Sequence, residues 1–142
     1  MIVPDVNLLL YANITDFKDH AAAKSWWERV VTAEEVGLTS PAVYGFVRLA
    51  TNPRIFDPPM SVDDALSRVE RWLERTSVHF LLPGPRHLEI AFGLLRNIGT
   101  AGNLTTDVQL AAFALEYQAE LHSNDSDFAR FPGLRWFNPL EK

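Results

Sequence analysis

Apolar positions along this chain fall into two kinds of run. Short unbroken runs alternate with longer stretches in which apolar residues recur every third or fourth position. Ile2-Val3-Pro4 is the first short run and predicts a buried strand that Asp5 ends. Val6 to Ile14 predicts a helix, and His20 to Val31 a second one with Trp26, Trp27, Val30 and Val31 on its apolar side. Val36–Thr39 predicts a strand. Ser40-Pro41 opens the next helix, because proline is tolerated in a first turn. That helix runs to about Asn52, where Pro53 stops it.

Asn52–Met60 is expected to be loop, marked by Pro53, Pro58 and Pro59. Ser61-Val62-Asp63-Asp64 has the form of a capping box. Val62, Ala65, Leu66, Val69, Trp72 and Leu73 follow at helical spacing, the clearest amphipathic pattern in the chain. Val78–Leu82 predicts a strand, and Pro85 opens a helix with Leu88, Ala91, Phe92, Leu95 and Ile98 on one face. Gly99 to Asn103 is a flexible break. Thr105-Thr106-Asp107 then opens a helix, Val108–Tyr117, that is apolar on nearly all sides and is expected to be buried. Ala119–Ser123 and Leu134–Phe137 predict the last strands. Strands that alternate with helices predict an α/β fold, a central parallel sheet with helices on both faces. With no repeat, linker or low-complexity segment, residues 1–142 are expected to form one domain.

Composition narrows the chemistry. No run approaches the ~20 apolar residues of a membrane span, and the N-terminus lacks the pattern of a signal peptide, so a cytoplasmic protein is expected. The chain has no cysteine, which excludes a disulfide scaffold, a thiolate metal site and a thiol nucleophile. A net charge of −5 argues against a broad nucleic-acid-coating surface. It leaves room for a nuclease that holds divalent cations in a carboxylate pocket, because those cations carry the charge toward phosphate. Glycine-rich nucleotide motifs and a nucleophile elbow are absent. His20, His79, His87 and His122 show no ligand spacing and are assigned to packing.

Aspartates far apart in sequence remain. Asp5 and the Asp125/Asp127 pair fall at the carboxyl ends of predicted strands, where open α/β sheets bind ligands, and Asp107 falls at a helix start. Three or four carboxylates brought together can hold Mg²⁺ or Mn²⁺, hard ions that prefer oxygen donors. Each aspartate also has a plainer use. Asp5 and Asp125 fit helix N-caps, and Asp107 fits the positive end of its helix.

Asp5-Val6-Asn7, Gly102 to Asp107 with Gln109 to Ala112 and Glu116, and Ser123 to Leu134 resemble, in order and spacing, the PIN-domain ribonucleases known as VapC toxins. Phe46-Val47-Arg48, Thr51 to Arg54 and the Arg135 to Leu140 end resemble a mycobacterial-type subgroup. The resemblance spans essentially the whole chain. It implies a toxin of a type II toxin–antitoxin module, an Mg²⁺- or Mn²⁺-dependent endoribonuclease cutting structured RNA such as tRNA or rRNA. It also implies a homodimer and a VapB-type antitoxin partner. By position it makes Asp5 and Asp107 the main metal ligands, Asp125 the third acid, Asp127 its companion, and Asn7 a partner of Asp5 or of substrate.

The pattern departs at one place. Many relatives carry a Glu where this chain has Gly45, and Arg48 lies three residues on, on the same helix face. Arg48 is expected to meet the acid cluster, an RNA phosphate, or only a structural ion pair. The missing Glu also admits a degenerate domain that binds RNA or antitoxin without cutting. A phosphatase of the haloacid-dehalogenase type is the remaining alternative, but Asn7 stands where its second acid belongs.

Overall fold

The computed structural model describes residues 1–99 and 102–141. Five short strands form one sheet: β1 (Ile2–Pro4), β2 (Val36–Leu38), β3 (Val78–Phe80), β4 (Glu120–His122) and β5 (Trp136–Phe137). Six α-helices connect them: α1 (Val6–Asn13), α2 (His20–Ala33), α3 (Ser40–Ala50), α4 (Val62–Glu74), α5 (His87–Ile98) and α6 (Thr105–Glu116). All four strand pairings are parallel, in the order β3-β2-β1-β4-β5. Every residue of β1 and β2 is buried. Successive strand residues point to opposite faces, so both faces of the sheet centre are covered, as in other all-parallel sheets.

Strand order reverses direction at β1, which pairs with β2 on one side and β4 on the other. In such sheets the cleft opens outside the carboxyl ends of the strands flanking the reversal. Here those ends lead into Asp5 and Ser123. The β1–β4 register sets Pro4 opposite His122, which places those two residues side by side.

Local chemistry fixes the boundaries. Thr39 lies beyond β2 and caps α3 by accepting from the Ala42 N–H at 3.3 Å. Ser61 caps α4 by accepting from the Asp64 N–H at 3.1 Å. Gly99, with φ at 72°, closes α5 in the left-handed conformation that favours glycine. Of the expected break after it, Thr100 and Ala101 lie outside the described residues, and Gly102–Leu104 is a single 3-10 turn.

α6 is buried as its composition predicts, with Val108 and the run Leu110 to Ala114 in the core. Two other helices depart from expectation. On α4 only Ala65, Val69 and Trp72 are buried, whereas Val62, Leu66 and Leu73 are exposed. On α5 the buried residues are His87, Ala91 and Leu94, and the predicted face leaves Leu88 and Phe92 in solvent. Trp26 and Trp27, on the apolar side of α2, are core residues, and the large apolar side chains left exposed are spread over α3, α4, β3, α5 and β5. None of the described helices is long and apolar enough to cross a membrane.

Candidate metal centre

Asp5 follows β1 directly and turns back to cap α1. Its Oδ1 accepts from the Val6 N–H at 2.7 Å, and its Oδ2 accepts from the Ser123 hydroxyl at 2.7 Å. The residue is 9% exposed. Burial raises its pKa most, the Ser123 and Val6 hydrogen bonds pull it down, and the charge of Asp125 adds to the rise. Asn7 sits in the first turn of α1. Its amide donates to Ser123 Oγ at 3.3 Å rather than to Asp5, and its buried Oδ1 has no partner.

The turn after β4 is built around Ser123. The hydroxyl donates to Asp5 while accepting from Asn7 and from the Asp125 N–H at 2.9 Å. Trp136 Nε1 donates to the Ser123 carbonyl at 3.0 Å and holds the turn to β5. Asp125 caps the short 3-10 helix Ser126–Arg130, accepting from the Asp127 N–H at 2.9 Å. Fully buried Phe128 anchors that helix in the core. The turn therefore aims Asp125 by using it as a cap.

Asp107 lies in the first turn of α6, whose burial makes it a fixed platform. One carboxylate oxygen from each of Asp107, Asp125 and Asp127 comes within 4.8 Å of the others. This trio could bind a metal: its donors are all carboxylate oxygens, matched to a hard divalent cation. Asp107 has its pKa raised to about 7, first by burial and then by the charges of Asp5, Asp125 and Asp127. Four carboxylates therefore share one field. Asp5 stands beside the trio, with one lone pair of each oxygen already taken by a donor.

Other expected residues fall elsewhere. Arg48 is exposed in the last turn of α3 and forms no ion pair among the described residues. Arg130 is the cation beside the acids, 3.7 Å from Asp127. Gly45 is buried, and a side chain there would put its Cβ 2.7 Å from Val6 Cγ2. The absent acid on α3 thus has a steric cause in this chain, since α1 packs against the glycine. All four histidines have packing or pairing roles. His122 is buried, accepts from Trp26 Nε1 at 2.9 Å, and has its pKa lowered chiefly by burial.

Two residues were given no role by sequence reasoning. Ser123 is the hub described above; its signal was a hydroxyl at a strand end two residues before an acid. Glu116 accepts from the N–H groups of Gly84 and Arg86 at 2.8 and 2.9 Å, tying the loop before α5 to the end of α6.

Residues 2–134 match the PIN domain family. Ribonuclease VapC33 of Mycobacterium tuberculosis is 52% identical over 143 residues, covering 100% of both chains. The chain belongs to the VapC ribonuclease family of PIN-domain proteins. Ribonuclease VapC37 of the same organism is 38% identical over 98% of this chain and 97% of its own. Among solved structures, Mycobacterium tuberculosis VapC20, described as a sarcin-ricin loop cleaving toxin, has a TM-score of 0.71 at 16% identity. That match covers 95% of this chain and 99% of VapC20. VapBC2 from Rickettsia felis, solved bound to a promoter DNA fragment, has a TM-score of 0.71 at 18% identity, over 97% and 98% of the two chains. At those identities the structural matches speak for the fold.

Proposed function

We propose that this chain is the toxin of a type II toxin–antitoxin module, an Mg²⁺- or Mn²⁺-dependent endoribonuclease that hydrolyses phosphodiester bonds in structured RNA, tRNA or rRNA. The observation that carries the reading is the convergence of Asp107, Asp125 and Asp127 within 4.8 Å of one another at the carboxyl edge of the sheet, beside buried Asp5. Bound by this trio, with Asp5 contributing its remaining lone pairs, a divalent cation would supply the positive charge that an in-line phosphoryl displacement needs and would acidify the attacking water.

The chain's own residues set the geometry. Asp5, Asp107 and Asp125 act as the catalytic acids, and Asp127 completes the cation site. Ser123 orients Asp5 and the Asp125 turn together. Asn7, half-buried at the edge of the cluster, and the exposed Arg48 are assigned to substrate contact. The protein works in the cytoplasm as a homodimer and is restrained by a VapB-type antitoxin. Structural neighbours that are VapBC assemblies support that partner. Gly45 keeps a second reading in play, a domain that binds RNA or antitoxin without cutting; Mn²⁺ titration without any RNA cleavage would favour it.

Mapping RNA ends in cells expressing the chain or Asp5→Asn tests activity and substrate together. New ends confined to the wild type are expected; identical end maps would contradict the reading.

A further inference from the structure

We propose that a groove on α4, lined by Arg68, Arg71 and Arg75 and floored by Asn13, Trp27 and Trp72, is a track for the phosphodiester backbone of RNA. The inference rests on the ribonuclease reading and adds where the strand is held.

A chain of net charge −5 whose centre gathers four carboxylates repels a polyanion unless cations elsewhere hold it. Arg86 and Arg130 are already within 3.6 and 3.7 Å of Glu89 and Asp127. The three arginines of the groove form no ion pair among the described residues, and no carboxylate lines the groove itself. Glu70 and Glu74 flank Arg71 on the outer side of the helix without pairing to it.

Arg68 and Arg71 lie one turn apart on one face of α4 and Arg75 caps its C-terminal end, so the three spread over roughly 10 Å. Guanidinium forks at that spacing suit successive phosphates of one strand. Arg68 is held ready, donating to Asn13 Oδ1 at 3.2 Å while Asn13 donates to the Leu9 carbonyl at 2.7 Å. Trp27 and Trp72 pack edge to face with ring centroids 5.6 Å apart. They are 9% and 6% exposed, so they form a rigid floor and offer no face for base stacking. The groove, about 200 Å³, therefore reads charge and spacing rather than sequence.

The groove also stands at the right remove from the acids. α1 starts immediately after Asp5 and ends at Asn13, so its length puts the groove about 12 Å along the helix from the cluster.

The test is fluorescence anisotropy with a 5′-labelled oligouridylate of about 20 nucleotides, in EDTA, over a salt series, on the full chain and on Arg71→Gln/Arg75→Gln. Two lost phosphate contacts should flatten the slope of log K against log salt by about 1.4, at ~0.7 per contact on a single strand. Arg71→Lys/Arg75→Lys should keep the slope. An unchanged slope in the Gln variant, or no binding by the wild type, overturns the proposal. So does a Gln variant that binds RNA normally but releases its antitoxin, which would make the groove a protein interface. Nuclear magnetic resonance of the wild type needs no variant: bound RNA should shift the guanidinium Nε–H signals of Arg71 and Arg75, and unmoved signals count against the track. Cleavage with Mn²⁺ is measured separately. Binding through the groove without cleavage would sink the ribonuclease reading alone, whereas cleavage with an unchanged KM in the Gln variant would sink the track alone.

Discussion

The Ser123 hydroxyl connects three groups that would otherwise sit apart: the buried Asp5 carboxylate, the Asn7 amide and the backbone of the Asp125 turn. Ser123→Ala removes a donor from a buried carboxylate and an acceptor from a turn N–H. It should lower stability by about 1–3 kcal/mol in urea unfolding and depress cleavage, because two of the acids lose their relative placement. Unchanged stability would show that the hydroxyl is not the hub.

Asp107 gives a second test at this scale. Folding raises its pKa to about 7, so between the ordinary carboxylate range and that value the folded chain keeps a proton that the unfolded chain has lost. The stability from holding that proton is fully present in acid and is lost as pH rises toward about 7. In EDTA, Asp107→Asn should therefore raise Tm at about pH 8, and the gain should vanish near pH 4. A gain of the same size at both pH values would contradict the account. The sequence made these aspartates visible because acids at strand ends and helix starts stand out. Ser123 stayed hidden, because a serine before a turn already has a common use there.

Helix packing leaves no room for a side chain at position 45. Gly45 lies where α3 meets Val6 at the start of α1, and an added Cβ would intrude to 2.7 Å. Gly45→Ala should cost about 1–3 kcal/mol by overpacking, measured by urea unfolding. In a Val6→Ala background the cost should shrink, giving a clear coupling energy in a double-mutant cycle. Additive effects would mean that the glycine is not there for Val6. This contact was not legible in the sequence, since residues 6 and 45 meet only through the tertiary fold. Periodicity located α4 and α5, and the all-round apolar character of α6 announced its burial. Periodicity could not say how much of each apolar stripe one chain covers. Leu66 and Leu73 on α4, and Leu88 and Phe92 on α5, share stripes with core residues yet face solvent.

At the scale of the whole molecule, alternating strands and helices were enough to foresee a parallel sheet. Strand order was not legible, because nothing local in Ile2–Pro4 or Glu120–His122 says that they pair. That pairing is what makes a site. It sets the ends of β1 and β4 side by side, and the turn after β4 and the start of α6 then bring Asp107, Asp125 and Asp127 to Asp5. The net charge of −5 has the same logic: the acid is concentrated where a cation is wanted, and the free arginines lie elsewhere.

RNA cleavage should depend on this carboxylate cluster and on the divalent cation it holds, a dependence that follows from the chemistry of the site. Its most direct test is cleavage of a labelled RNA pool by the purified chain during an Mn²⁺ titration, beside Asp107→Asn shown to be folded by circular dichroism. Cleavage should require Mn²⁺, stop in EDTA, and fall at least about 100-fold in the variant, the scale set by several kcal/mol of transition-state stabilisation. Undiminished cleavage in EDTA, or full activity of folded Asp107→Asn, would contradict it.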